Sequence, residues 1–305
     1  MNKKMLLIVN PAAGKGGGVS SLGSVLQVFA NGGYVPSVHF TKCAGDATDL
    51  VLREAMGFDC VCCVGGDGTL SETVAGLVKL PRPPLLGYIP QGTANDVASS
   101  LKLPKSSVAA AKTIIDGAAV PLDVGSFGDD AFFTYIAAFG AFTEASYETP
   151  RGNKQALGHL AYVLQGMSML PKLSSYATTV EYDGGEISGD MVFGSVTNTN
   201  YVAGMFKLQG PKIELDDGLF EVILIRNPKN VLEMNEIVTK VLSRNFTGGQ
   251  AIMLHSKKVK FTFARPVKWT RDGENGGAHS QVEISNIHSP IRIMVPKSGA
   301  ATLPK

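Results

Sequence analysis

A short apolar strand followed by a glycine-rich turn constrains this chain more than any other feature. Residues 60–64 are all apolar, which is typical of a strand buried on both faces of a sheet. The motif Gly-Gly-Asp-Gly follows at residues 65–68, and a helical pattern begins at Thr69. Glycines permit positive φ and a close approach of a ligand to the backbone, and a helix N-terminus attracts anions. The segment is therefore typical of a phosphate site, or of an ordinary tight turn.

The start of this helix has the pattern of a capping box. Thr69 is expected to be the N-cap, and Glu72, three residues later, would complete the box. The sequence therefore predicts a helix over 69–78 whose first turn is closed by its own side chains.

Strand and helix patterns alternate through the first 123 residues. We predict strands at 4–9, 35–40, 60–64 and 85–89, and helices at 20–30, 47–56 and 69–78. This alternation indicates a parallel sheet, in which the loops after successive strands emerge on one edge. Open α/β sheets bind ligands at that edge.

Two further loops follow predicted strands of this half. The first, residues 10–18, is rich in glycine, but it lacks the Gly at position 9 and the Ser or Thr at position 16 that a phosphate loop would need. The dinucleotide-binding pattern also fails, because its third glycine is missing. The second loop, residues 90–96, contains Gly-Thr-Ala-Asn-Asp and leads into a helix.

Strand patterns dominate after residue 123. They are predicted at 131–139, 176–182, 191–197, 220–225, 257–263 and 291–295. Two helices, at 154–169 and 230–242, have an apolar stripe that is typical of packing against a core. The first of them could alternatively line a groove for an acyl chain.

Composition excludes several classes of protein. The chain has 28 Lys and Arg against 26 Asp and Glu, a net charge of +2 that gives no reason to expect nucleic acid binding. No apolar run reaches the roughly 18 residues that a membrane span needs, so we expect a cytoplasmic protein. Three of the four cysteines lie in the apolar strand, where reduced, structural thiols are expected.

Two acidic clusters lie in the second half. Residues 214–217 hold three carboxylates, which suits either a solvated turn or a Mg²⁺ loop. Asp272, Gly273 and Glu274 follow the end of a strand. They form either a surface hairpin turn or an acidic pair that serves a metal and a base.

Together these motifs resemble the diacylglycerol kinase and sphingosine kinase family in its compact bacterial form. The matching segments occur in the family's order: Asn10-Pro11 with Gly14, residues 65–69, residues 92–96, Asp217-Gly218 and residues 272–274. The glycine-aspartate loop also occurs in NAD kinases and phosphofructokinases. The Gly-Thr-Ala-Asn-Asp loop and the late Asp-Gly-Glu are therefore the features that indicate lipid kinases.

The resemblance implies a fold and a set of cofactors. It implies an α/β nucleotide-binding domain with a parallel sheet over 1–123, to which residues 289–305 return. A mostly antiparallel β-sandwich over 124–288 would be the lipid-substrate domain. ATP and Mg²⁺ are the implied cofactors.

The resemblance also implies the functional residues. A Mg²⁺ loop would consist of Glu214, Asp217 and the carbonyl of Leu219. Asp67 and Asp96 would lie near the metal, and Asp272 and Glu274 would serve the acceptor. We assign Glu274 as base with Asp272 supporting it, and Asp67 is the alternative base. The nucleotide would be surrounded by Asn10, Pro11, Gly14, Thr41, Gly65, Gly66, Asp67, Gly68, Thr69, Glu72, Thr93 and Asn95.

The expected activity is phosphorylation of a lipid hydroxyl, on a diacylglycerol-like or sphingoid molecule, by a protein that associates transiently with a membrane surface. One alternative is an NAD kinase-like phosphotransferase with a soluble substrate, and another is a nucleotide-binding regulator without catalysis. The sequence does not identify the lipid. It leaves the oligomeric state open and is compatible with a homodimer.

Overall fold

A computed structural model describes residues 2–14, 20–141, 174–198, 201–202, 206–207, 217–243, 246 and 248–297. The helix predicted over 154–169 lies outside these residues. The described residues form two compact units. The first contains residues up to Val124, together with Asp217 and the segment from Ile287 onward, and the second contains the other residues from Gly125 to Asn286.

Strands and helices alternate in the first unit. Its elements are β1 (Lys3–Val9), α1 (Leu22–Asn31), β2 (Tyr34–Phe40), α2 (Asp46–Glu54) with a 3₁₀ turn (Ala55–Gly57), β3 (Cys60–Gly65), α3 (Asp67–Val78), β4 (Leu85–Pro90), α4 (Asp96–Ser100) and α5 (Ser107–Asp116).

Strands dominate the rest of the described chain. The elements are β5 (Ala118–Phe127), β6 (Ala131–Phe133), β7 (Ile136–Gly140), β8 (Tyr176–Tyr182), β9 (Gly185–Thr197), β10 (Tyr201–Val202), β11 (Phe206–Lys207), β12 (Phe220–Arg226), α6 (Val231–Ser243), β13 (Ala251–Ser256), β14 (Lys258–Arg271) and β15 (Glu274–Val295). Both β5 and β15 begin in one unit and end in the other.

The strands of the first unit pair in parallel in the order β4-β3-β1-β2. The end of β15 extends this sheet, because Ile293 lies beside Leu86 of β4 in a further parallel pairing. β1 and β3 are the central strands, and from Met5 to Val9 the side chains of β1 are fully buried. Since all these strands have one direction, the loops after β1, β3 and β4 leave from the same edge of the sheet.

The cysteines of β3 are core residues, as their apolar surroundings in the sequence indicated. Cys60, Cys62 and Cys63 are buried and unpaired, and Cys43 is exposed. Burial raises the pKa of the Cys60 and Cys63 thiols to about 12. It raises the pKa of Cys62 well above its ordinary value. These thiols are therefore uncharged and serve to fill the core.

The second unit is an antiparallel β-sandwich in which two long strands each pair with two neighbours. β9 pairs with β8 through its first half and with β7 through its second half. β14 likewise pairs first with β8 and then with β7. The sheet continues from β9 to β12 and β13, and from β14 to β15. The buried apolar side chains of these strands form one hydrophobic core.

Aromatic side chains fill that core. The ring centroids of Phe139 and Trp269 are 4.9 Å apart, and Phe261 lies 5.1 Å from Trp269. All three side chains are nearly inaccessible to solvent. Such tilted and edge-on ring pairs add to the stabilisation that burial of apolar area provides.

One strand prediction of this half needs correction. The apolar run 131–139 was expected to form a single strand, but it forms β6 and β7 with a break at Thr134 and Tyr135. The break exists because the backbone N–H groups of residues 134–136 donate to the carboxylate of Asp272 instead of to a neighbouring strand.

Candidate functional site

Three strand ends of the first unit meet at one edge of the parallel sheet. The backbone N–H of Asn10, after β1, donates to the carbonyl of Val64 at 2.9 Å, and that of Gln91, after β4, donates to Gly65 at 2.7 Å. The loops after β1, β3 and β4 therefore begin side by side at this edge.

The turn after β3 is shaped by a close approach and not by positive φ. None of Gly65, Gly66 and Gly68 has positive φ, and Gly66 is extended with φ −90° and ψ −174°. These glycines therefore do not use the positive φ that glycine permits. A Cβ on Gly92 would lie 2.7 Å from Cα of Gly66. The two glycines thus allow the turn after β3 and the loop after β4 to touch backbone to backbone.

The predicted capping box is also wrong. Helix α3 begins at Asp67 with Gly66 as its N-cap, so Thr69 lies inside the helix. The Thr69 hydroxyl instead accepts a hydrogen bond of 2.9 Å from Nδ2 of Asn10. The Glu72 carboxylate accepts the N–H groups of Gly45 and Ala47, at 2.9 and 3.3 Å, and so caps α2. The neighbouring helix offers this carboxylate two N–H groups, which explains why it does not fold back on its own helix.

The loop after β1 is fixed by Asn10. Its side-chain oxygen accepts the N–H of Ala12 at 2.9 Å, an Asx turn that includes Pro11. Gly14 follows with φ +60°. Thr41, the first residue after β2, donates its N–H to the carbonyl of Val9. These predicted nucleotide residues therefore start from the same edge as the turn after β3.

The loop after β4 brings a second acidic residue, Asp96, to Asp67. The backbone N–H of Asp96 donates to Oδ2 of Asp67 at 3.2 Å, and Asp96 itself is 7% exposed. Thr93 is exposed within the same loop. The structure thus places two acidic residues, an exposed hydroxyl and the N-terminus of α3 together. This arrangement can bind phosphate and, through its carboxylates, a hydrated divalent cation.

Asp272 and Gly273 form the two-residue turn between β14 and β15. Both have positive φ, 48° and 82°, as a type I′ hairpin turn requires. Arg271 and Glu274 are the pair that closes the hairpin. The hairpin interpretation of this segment is therefore correct as a description of its backbone.

The two acidic side chains of this hairpin have different surroundings. Asp272 is 4% exposed, and its carboxylate accepts N–H groups of Thr134, Tyr135 and Ile136 at 2.7, 3.0 and 3.1 Å. Glu274 is exposed to solvent. A carboxylate that already accepts three N–H bonds has little capacity left for a substrate hydroxyl, whereas Glu274 keeps its carboxylate accessible.

The acidic loop implied as a Mg²⁺ site is described only in part, because Glu214 lies outside the described residues. Asp217 is exposed, and the carbonyl of Leu219 accepts Nδ2 of Asn286 at 3.2 Å. The carboxamide oxygen of Asn286, a residue 5% exposed, has no hydrogen-bond partner within the described part of the chain. Carboxylate, carbonyl and carboxamide oxygens are the ligands that Mg²⁺ accepts, so these residues fit such an ion.

A cluster of three or more His, Cys, Asp or Glu side chains suited to a metal is absent from the described residues. Sequence reasoning missed Asn286, because a lone asparagine in a strand gives no signal. It also missed the N–H groups at 134–136, since backbone donors are invisible in side-chain patterns.

Comparisons with known proteins identify the family of the chain. A family model described as the diacylglycerol kinase catalytic domain matches residues 4–127. A second, described as the YegS C-terminal NAD kinase beta sandwich-like domain, matches residues 140–293. No helix among the described residues has the length and hydropathy needed to cross a bilayer.

Full-length relatives and solved structures also match. The diacylglycerol kinase of Bacillus subtilis (strain 168) is 38% identical over 304 residues, which cover 99% of both chains. That of Staphylococcus carnosus (strain TM300) is 34% identical over 97% of this chain and 96% of the relative. A crystal structure from Bacillus anthracis str. Sterne superposes with a TM-score of 0.81 at 24% identity, covering 97% of this chain and 96% of the other, and so shares the fold. Because these sequence matches cover nearly the whole chain, this chain belongs to the diacylglycerol kinase family.

Proposed function

We propose that this protein is an ATP-dependent kinase that transfers the γ-phosphoryl group to the hydroxyl of a diacylglycerol-like lipid. The strongest support from the structure is the contact between the turn after β3 and the loop after β4, where the Asp96 N–H donates to Asp67. Relatives at 38% and 34% identity, both diacylglycerol kinases, support the substrate class.

The nucleotide phosphates are proposed to lie at the edge where β1, β3 and β4 end. Backbone N–H groups at the start of α3 and the exposed Thr93 would bind phosphate oxygens. Asn10 would hold the loop after β1 in place through its bond to Thr69. Phosphoryl transfer depends mainly on such positioning and on electrostatic stabilisation of the charge that develops.

We propose two cation positions with different roles. Bound Mg²⁺ neutralises charge on the transferring phosphoryl group, and Asp67 with Asp96 would hold it near the phosphates. The loop with Asp217 and the Leu219 carbonyl, and with Glu214 outside the described residues, would hold a second ion that stabilises the second unit. The Asn286 carboxamide next to Leu219 supports this second assignment.

Glu274 is proposed as the group that accepts the proton of the lipid hydroxyl. Its exposure leaves the carboxylate free to approach a substrate, as a general base must. Asp272 would act by fixing the hairpin through the N–H groups of residues 134–136. Asp67 remains the alternative base if Glu274 is dispensable.

The lipid substrate implies work at a membrane surface. We propose a cytoplasmic protein that associates with the membrane transiently, since its acceptor hydroxyl lies at the lipid–water interface. Vesicle flotation with and without diacylglycerol measures this association.

A panel of acceptors tests the function. The protein is incubated with γ-labelled ATP, Mg²⁺ and, separately, diacylglycerol, a sphingoid base, a polyprenol and NAD. The proposal expects labelled phosphatidic acid. Transfer to NAD alone would instead favour a soluble-substrate kinase, a second candidate that the NAD kinase-like description of the second domain brings in. Nucleotide binding without transfer to any acceptor would favour a regulator.

A further inference from the structure

Asn95 holds the loop after β4 in a fixed conformation. Its backbone is left-handed, with φ 53° and ψ 53°, a conformation that asparagine tolerates better than most residues. Its side-chain oxygen accepts the N–H of Gly92 at 2.8 Å, and its Nδ2 donates to the carbonyl of Gly92 at 2.7 Å. The carboxamide therefore closes the loop on itself.

This closed loop determines the position of both groups that meet the turn after β3. Gly92 is the residue that packs on the backbone of Gly66. Asp96, next to Asn95 in the chain, is the residue whose N–H donates to Asp67. A change in the orientation of the Asn95 carboxamide would therefore move the loop relative to Asp67.

A buried phenol lies behind this carboxamide. Tyr88, on β4, is 1% exposed, and its hydroxyl donates to the same Asn95 oxygen at 3.3 Å. The oxygen thus accepts two hydrogen bonds, one from the loop and one from the sheet. Strand β4 is held on both sides by parallel neighbours. The hydroxyl of Tyr88 therefore has a fixed position against which the loop can be oriented.

We propose that Tyr88 is a positioning residue, which acts through Asn95 to orient the loop 92–96 and its Asp96 N–H against Asp67. The inference rests on the proposed function, because it assigns Tyr88 to the same site. The simpler explanation is that the ring of Tyr88 only fills the core and that its hydroxyl has no role. The two accounts differ in what the hydroxyl does, and Tyr88→Phe removes the hydroxyl while keeping the ring.

The first measurement compares Tyr88→Phe with a matched control. Tyr34 is also a buried tyrosine of the same sheet, 7% exposed, with its ring packed edge-on against Phe29, and it lies outside the proposed site. We expect Tyr88→Phe to lower kcat about three- to tenfold, the range for one neutral hydrogen bond, with the KM for lipid unchanged. Tyr34→Phe should keep the wild-type kcat.

A double-mutant cycle tests the route through Asn95. Glycine adopts the left-handed conformation without strain, so Asn95→Gly keeps the backbone conformation and removes the carboxamide. In the Asn95→Gly background, Tyr88→Phe should have no further effect on kcat. An equal effect of Tyr88→Phe in both backgrounds would show that the hydroxyl does not act through Asn95 and would overturn the inference.

Amide hydrogen exchange supplies a readout that does not depend on activity. Peptides that cover residues 92–96 should exchange faster in Tyr88→Phe than in the wild type, and those of Tyr34→Phe should not. Unchanged exchange in this loop would overturn the inference whatever the activity. A wild-type protein that phosphorylates no acceptor would instead refute the proposed function, and the exchange data would still decide the role of Tyr88.

Discussion

Replacement of Asp272 by asparagine should destabilise the second unit. The backbone conformation of residue 272 should be retained. Asparagine adopts positive φ at least as readily as aspartate, so the turn at φ 48° is retained. The carboxylate is what changes: it accepts three N–H groups, from residues 134–136, in a buried position.

The magnitude follows from those three bonds. Hydrogen bonds to a charged group contribute about 1.5–3 kcal/mol each and neutral ones about 0.5–1.5, so two bonds would each weaken by about 1 kcal/mol. The third N–H, that of Thr134, would face the amide NH₂ of asparagine and lose its acceptor, at a cost of about 1–3 kcal/mol. Because neighbouring contributions are not additive, we expect a total loss of about 3 kcal/mol in the free energy of unfolding.

Trp269 makes this change measurable in one unit. It is the single tryptophan of the chain and is 1% exposed, three residues from Asp272. Urea unfolding followed by its fluorescence therefore reports on the second unit. With a slope of about 2 kcal/mol/M, the transition midpoint should fall by about 1.5 M. A variant that unfolds at the wild-type urea concentration but has lost phosphoryl transfer would refute the reasoning and assign Asp272 to the chemistry.

Four further outcomes follow from the structure. Glu274→Gln should lower kcat at least about 10²-fold, as for loss of a general base, with an unchanged urea midpoint; near-normal turnover would transfer the role to Asp67. Asp67→Asn should lower the rate of phosphoryl transfer by at least about 10²-fold; normal turnover in the folded variant would show that the Gly-Gly-Asp-Gly motif is only a structural turn. Mg²⁺ should raise the melting temperature of the wild type but not of Asp217→Asn; an equal rise in both would remove the metal from that loop. Because burial raises the pKa of the Cys60 and Cys63 thiols to about 12, their thiolate fraction at pH 8 is about 10⁻⁴, and the native protein should react with a thiol reagent at Cys43 alone.

The architecture was readable because strand and helix patterns alternate in the first half of the chain, whereas strand patterns dominate the second half. The run 60–64 is apolar at every position, and β3 is buried on both faces. Strand-like patterns dominate after residue 123, and these strands pair antiparallel in the second unit. Helix α5 (Ser107–Asp116) and strands β5 and β13 were not predicted. In β5, for example, Pro121 and Asp123 interrupt the apolar residues and weaken the strand pattern.

The side-chain partners were much less readable, because they depend on contacts distant in sequence. Glu72 has an ideal spacing for a capping box, yet its carboxylate caps α2, 25–27 residues away in the chain. Asp272 looked like half of a catalytic pair, but its partners are N–H groups about 137 residues earlier. Local pattern gave the positions of the acidic residues, and tertiary contacts decide which carboxylate is buried and which is accessible.

The most direct test of the account follows the phosphoryl group itself. ATP labelled with ¹⁸O at the non-bridging oxygens of the γ-phosphate is incubated with the protein, Mg²⁺ and diacylglycerol in mixed micelles. The mass of the lipid product is then measured by mass spectrometry. We expect phosphatidic acid in which every non-bridging phosphate oxygen is ¹⁸O, because the γ-phosphoryl group passes intact to the lipid hydroxyl. Label found only in inorganic phosphate, with no labelled lipid product, would contradict the proposed transfer.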